Sequence, residues 1–137
     1  MAGDKDMREI SAQERTIMRI IWNARDRYLT AREIENAMLA LDGKERNISS
    51  LMTVLAKLVD KGYLNPVKEF RKSTIFIPVI GETEYKVFVT DGFMRSVHNG
   101  EFSSFLSALV NSEKYSRNDI SKISQLLGVL DEEGRGK

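Results

Sequence analysis

Ser49, Ser50, Met52, Thr53 and Lys57 are the side chains whose types and spacing suggest a shared task. Short hydroxyls let a second molecule approach closely, and a lysine one to two turns later reaches a phosphate or a guanine edge. That chemistry is non-covalent recognition of a polyanion. Catalysis finds less support. The one histidine, His98, stands beside Asn99-Gly100, where a helix end and its dipole account for it. Without cysteine there is no thiolate nucleophile, no disulfide and no thiolate metal site. Carboxylates are scattered, Asp131-Glu132-Glu133 reads as a solvated run, and no metal-ligand spacing appears. No enzyme activity, metal or cofactor is expected.

The recognition residues need a helix to gather them. Between Asn47 and Lys61 the apolar residues Leu51, Val54, Leu55, Leu58 and Val59 repeat at i, i+3, i+4 and i+7, which buries one stripe and leaves the hydroxyl and lysine face outward. Asn47 suits the N-cap, Lys61 the negative end of the dipole, and Gly62 a left-handed stop. Two more helices are expected before it. Ser11-Ala-Gln-Glu14 is a capping box opening a helix with Ile17, Ile20 and Ile21 on one side, flanked by Met18 and the single tryptophan, Trp22, as core. Thr30-Ala-Arg-Glu33 is a second box, opening a helix through Ile34, Ala37, Met38 and Leu41 to the Asp42-Gly43 turn. Residues 1–9 read as a frayed arm. Two helices with a hydroxyl-rich start to the second make a helix-turn-helix.

After Gly62 the period changes. Tyr63–Val67 and Thr74–Pro78 are short, rich in β-formers and end near prolines, with a basic tip between them; the spacing predicts a two-stranded hairpin with Pro66 and Pro78 at edges. From Lys44 to Lys72 there are seven cations (Lys44, Arg46, Lys57, Lys61, Lys68, Arg71, Lys72) against three anions, a local +4 beside +1 for the chain. Overall charge therefore does not mark a nucleic-acid binder, whereas a helix and a basic wing together do.

The remainder reads as helical. Thr83 is the expected cap of a helix through Tyr85, Phe88, Val89, Phe93 and Val97, with Gly92 as a kink or close-packing point and Asn99-Gly100 as the stop. A second helix carries Phe102, Phe105, Leu106, Leu109 and Val110. A third, capped by Ser116, carries Ile120, Ile123, Leu126, Leu127 and Leu130, and a polar tail starts at Asp131. So much apolar surface on about fifty residues exceeds what three short helices can hide among themselves. Phe88, Phe93, Val97, Phe102, Phe105, Leu106, Leu109, Ile120, Ile123 and Leu127 are therefore expected to hold two copies together. The expected fold is mainly α with a small β-hairpin wing: a winged helix-turn-helix DNA-binding domain over 1–80 and a helical dimerisation region over 81–137. With 42% hydrophobic and 30% charged residues the chain has an ordinary soluble composition. No apolar run approaches the roughly 18–20 residues of a membrane span, so no membrane insertion is expected, and a polar start without a signal peptide's core makes a cytoplasmic location the default.

These segments together resemble the BlaI/MecI/CopY family of repressors. Ile10-Ser11-x-x-Glu14-x-x-Ile17-Met18-x-Ile20-Ile21-Trp22 resembles its opening helix. Ser50-x-x-Thr53-x-Leu55-x-Lys57-Leu58-x-x-Lys61-Gly62-x-Leu64 resembles its recognition helix, and Phe76-x-Pro78 the end of its wing. Phe93-x-x-x-Val97-x-Asn99-Gly100 and Ser116-x-x-Asp119-Ile120 resemble its dimerisation region. The resemblance runs from Ile10 to about Glu132. It implies a homodimeric transcriptional repressor on a palindromic double-stranded operator, read through the 47–61 helix and the 64–78 wing. By position it places Ser49, Ser50, Met52, Thr53 and Lys57 in the major groove, Arg71 on a phosphate with Lys72 competing for that role, and Thr30 and Ala31 near the backbone; Arg46 belongs to the same basic set. It also implies a membrane-bound sensor protease as a partner. The chain departs from the pattern at Arg15, at Phe70 in the wing, and at Ala108-Leu109, which stands where the family's cleaved bond lies. A winged-helix adaptor that binds protein instead of DNA is the competing reading, and salt-insensitive binding would distinguish it.

Overall fold

The computed structural model describes residues 7–69 and 73–135, with backbone alone from residue 129. In chain order the elements are α1 (Ala12–Asn23), β1 (Leu29–Thr30), α2 (Ala31–Asp42), α3 (Ile48–Asp60), β2 (Leu64–Lys68), β3 (Thr74–Pro78), α4 (Glu82–His98), α5 (Phe102–Ser112) and α6 (Arg117–Arg135). The chain divides into two compact units, Met1–Val89 and Thr90–Lys137. The division falls inside α4, later than residue 80, because Tyr85 is buried in the core of the first unit and Phe88 packs against that core.

In the first unit both capping boxes form. Ser11 accepts from the Glu14 N–H at 3.1 Å while the Glu14 carboxylate accepts from the Ser11 N–H at 2.7 Å. Thr30 and Glu33 repeat the arrangement. Asn47 caps α3, its side-chain oxygen accepting from the Ser49 N–H at 2.8 Å. Gly43 and Gly62 take positive φ, as the stops of α2 and α3 require. The helices converge on Ile17, Met18 and Ile21 of α1, Ile34 and Met38 of α2, and Leu51, Leu55 and Leu58 of α3, closed by Tyr63, Leu64 and Phe76. Met18 is a full core residue and Ile20 only half-buried, the reverse of the expected order along that stripe.

The sheet differs from the expected hairpin. It has three strands in the order β1-β3-β2, with Leu29 opposite Phe76 and Thr30 opposite Ile75. Pro66 lies on the edge strand β2, but Pro78 ends the central strand β3. A proline fits there because β1 reaches only Ile75 and Phe76, so no partner on that side requires its missing N–H. Residues 7–9 are not a loose arm: Met7 packs on the core, Tyr63 Oη donates to the Arg8 carbonyl, and Lys61 Nζ donates to the Glu9 carbonyl at 3.2 Å. Trp22 donates from Nε1 to the Ile80 carbonyl at 2.9 Å and sits 5.4 Å from the Tyr85 ring.

α4 begins at Glu82, so Thr83 lies inside it instead of capping it, and Glu84 turns back to accept from the Gly81 N–H. A Cβ at Gly92 meets nothing within 4 Å, so among the described residues Gly92 is not a point of close packing. The second unit, Thr90–Lys137, takes its turns from Asn99 and Gly100, both at positive φ, and from the Ser116–Asp119 cap. The helix α6 runs on through Asp131–Arg135, where a tail was expected.

Candidate nucleic-acid interface

α3 packs on the first unit through Leu51, Leu55 and Leu58, and that stripe dictates what faces away. Ser49, Ser50, Met52, Thr53 and Lys57 are all exposed. Thr53 Oγ1 donates to the Ser49 carbonyl at 3.1 Å, one turn back. Lys57 enters no ion pair among the described residues.

The flank of α3 toward the sheet borders an open groove of about 830 Å³. Thr30 and Ala31 line it at the start of α2, Ile48 and Met52 on α3, and Lys68, Ser73 and Thr74 along the wing. The Thr30 hydroxyl is engaged with Glu33, so Thr30 meets the groove as a cap already in use. Arg71 and Lys72 lie outside the described residues. Arg46 is drawn into a forked ion pair with Asp42 and also donates to the Lys44 carbonyl at 3.2 Å. The Arg46 guanidinium, then the Lys44 N–H, hold the Asp42 carboxyl down at about 2. To reach a phosphate Arg46 must leave that pair. The i, i+4 spacing of Asp42 and Arg46 was the available signal for it.

The opposite flank of α3 carries an arrangement that sequence reasoning missed. Lys61 Nζ meets the Glu14 carboxylate at 2.8 Å, and Glu14 is only 2% exposed. Burial pushes the Glu14 carboxyl up, but hydrogen bonds from Lys61 and the Ser11 N–H, with the Lys61 charge, outweigh it and hold the group below its usual range. Glu14 Oε2 has no partner among the described residues. This pair ties the start of α1 to the end of α3 beside a small cleft lined by Gln13, Val54 and Lys57.

In the second unit Phe93, Val97, Phe102 and Leu127 are exposed, and Phe105, Leu106, Leu109, Ile120 and Ile123 are half-buried. α5 has no buried residue. His98 is buried among rings, 5.1 Å from Phe93 and 5.6 Å from Phe105, with Nδ1 2.9 Å from Ser104 Oγ. Phe88, expected in the same set, packs instead on the core of the first unit.

An exposed hydroxyl face on a capped helix, beside a three-stranded wing, is an arrangement that can lie against a nucleic-acid groove. The model of the penicillinase repressor family matches residues 10–128, most of the chain. The chain belongs to the penicillinase repressor family. The methicillin resistance regulatory protein MecI of Staphylococcus aureus strain N315 is 28% identical over 125 residues, covering 90% of this chain and 97% of MecI. The penicillinase repressor of Bacillus licheniformis is 24% identical over 123 residues, covering 90% and 92%. Among solved structures, the complex structure of hsRosR-S4 matches with a TM-score of 0.53 at 16% identity over 98% of this chain and 99% of that one, a likeness of fold. The solution structure of the DNA-binding domain of the repressor BlaI is 27% identical, with a TM-score of 0.48 over 59% of this chain and 93% of that one. As a member of the penicillinase repressor family the protein is a winged-helix transcriptional repressor that binds DNA, not an enzyme. Among the described residues no helix is long and apolar enough to cross a membrane.

Proposed function

We propose that the protein represses transcription as a homodimer on a palindromic operator, with α3 of each copy in a major groove and each wing on the flanking backbone. The observation that carries this reading is the exposed face of Ser49, Ser50, Met52, Thr53 and Lys57, held outward by the wholly buried Leu51, Leu55 and Leu58. Lys57, the wing-tip Arg71 and Lys72, and the start of α2 at Thr30 and Ala31 supply the phosphate contacts. The two-fold pairing rests on the second unit, where Phe93, Val97, Phe102, Val110, Leu126 and Leu127 stay exposed. A second copy is the partner that the resemblance to the BlaI/MecI/CopY repressors implies for that surface. The dimer blocks a promoter by occupying it, in the cytoplasm where the DNA is, and a signal that weakens the pairing releases it because half-sites then bind independently. A membrane sensor protease remains the partner that the family resemblance suggests. Ala108-Leu109 lies within α5, so a protease must unwind helix to reach that bond.

The test is a fluorescence anisotropy titration against duplex DNA from upstream of the protein's own gene, with sedimentation run in parallel. With about three phosphates neutralised per copy, the log–log salt slope should be roughly −5. A flat salt response would favour the protein-binding adaptor. A monomer at micromolar concentration would end the dimer reading.

A further inference from the structure

Recognition helices that distinguish bases through paired hydrogen bonds do so with arginine or lysine on guanine and asparagine or glutamine on adenine. Of these α3 carries only Lys57: its sequence is ISSLMTVLAKLVD. The middle of its exposed face is Ser49, Thr53 and Ala56, and the Thr53 hydroxyl proton is already given to the Ser49 carbonyl. Thr53 can donate to a base only by surrendering that bond. On the wing side of this face stands Met52, 44% exposed, and it borders the groove together with Ile48, Ala31 and Phe76. These apolar side chains form one part of the groove, and Thr30, Arg32, Lys68, Glu69, Ser73 and Thr74 line the rest. Thymine alone among the standard bases carries a methyl group in the major groove. A methionine, unbranched and polarizable, can seat against such a methyl in more than one register.

We propose that Met52 is a specificity-determining residue: it packs on the 5-methyl groups of operator thymines, so methyl contacts select the half-site together with the guanine contact open to Lys57. This rests on the reading of α3 as the helix that enters the major groove. Burying one methyl-sized group corresponds to about a fourfold change in affinity per thymine contacted.

The experiment starts with the full-length chain selecting duplexes from a random-sequence library. Each thymine of the selected consensus is then replaced, one at a time, by deoxyuridine, which removes the methyl and leaves every hydrogen-bonding group. The expected result is about a fourfold weaker Kd at one or more thymines of each half-site. In Met52→Ala that penalty disappears at the same thymines while the other substitutions stay silent. Met52 is exposed, and unchanged circular dichroism and melting temperature confirm that the variant is folded. A consensus whose thymines all tolerate deoxyuridine overturns the proposal. So does a penalty that persists undiminished in Met52→Ala. A library that yields no binding and no consensus removes the DNA-reading of α3 itself, and the proposal with it.

Discussion

Two lysines on α3 and at its end have opposite surroundings, and they make different predictions. Lys57 is exposed and enters no ion pair among the described residues. Lys57→Ala should leave the melting temperature nearly unchanged, weaken operator binding about tenfold or more, and reduce the salt slope by about 1 for each copy. Anisotropy at several salt concentrations measures both. Lys61, in contrast, neutralises the buried Glu14 carboxylate at 2.8 Å. Removing it strands that charge, and Lys61→Ala should cost about 2–3 kcal/mol in urea unfolding, somewhat below a fully buried pair because Lys61 keeps some solvent contact. Glu14 has a lowered folded-state pKa relative to 4.5, so its stabilisation is complete above that value and is lost as pH falls through the folded pKa. Glu14→Gln should therefore flatten the acid limb of the stability curve below about pH 4.5, whereas the wild type loses stability there. A Glu14→Gln acid limb as steep as that of the wild type would show that other carboxylates govern it. The pairing joins positions 47 apart, which no local pattern announces.

At the scale of elements, legibility followed period and punctuation. The capping boxes at Ser11 and Thr30 could be read because each is two polar residues at a set spacing just ahead of an apolar repeat. The α3 stripe could be read because thirteen residues give a period time to show. β1 could not, since two residues have no alternation, and its existence depends on β3 arriving from far along the chain. The Asp42–Arg46 pair is legible in its i, i+4 spacing, although the basic stretch around Arg46 points equally to a DNA contact. Thr83 looked like a cap only because it is the first hydroxyl after Gly81; the helix starts a residue earlier. Gly92 sits within α4 with open space where a Cβ would go. Gly92→Ala should raise stability by about 1 kcal/mol, seen as a higher melting temperature. A loss of stability there would mean that another chain approaches that helix face closely.

For the whole molecule, the two units differ in how they meet their hydrophobic surface. The first has a contiguous core of buried side chains from Ile17 to Tyr85. In the second, His98 at 8% exposure is the one buried side chain among the described residues. A self-sufficient unit does not leave that much apolar surface in water, and the proposed pairing would cover it. Val97 is 60% exposed, so Val97→Asp should leave each protomer folded by circular dichroism while weakening self-association at least tenfold in sedimentation velocity. Operator affinity should fall in step. A dimer undisturbed by that change would move the contact to another face of the unit.

Thr30 holds two posts at once: it closes β1 against Ile75 and caps α2 through Glu33. A pull on the hairpin is therefore transmitted to the first turn of α2 through one shared residue, as through a rivet. Amide exchange should register this as a common opening event, with Ile75 and Glu33 losing protection at the same rate and Thr30→Ala loosening both.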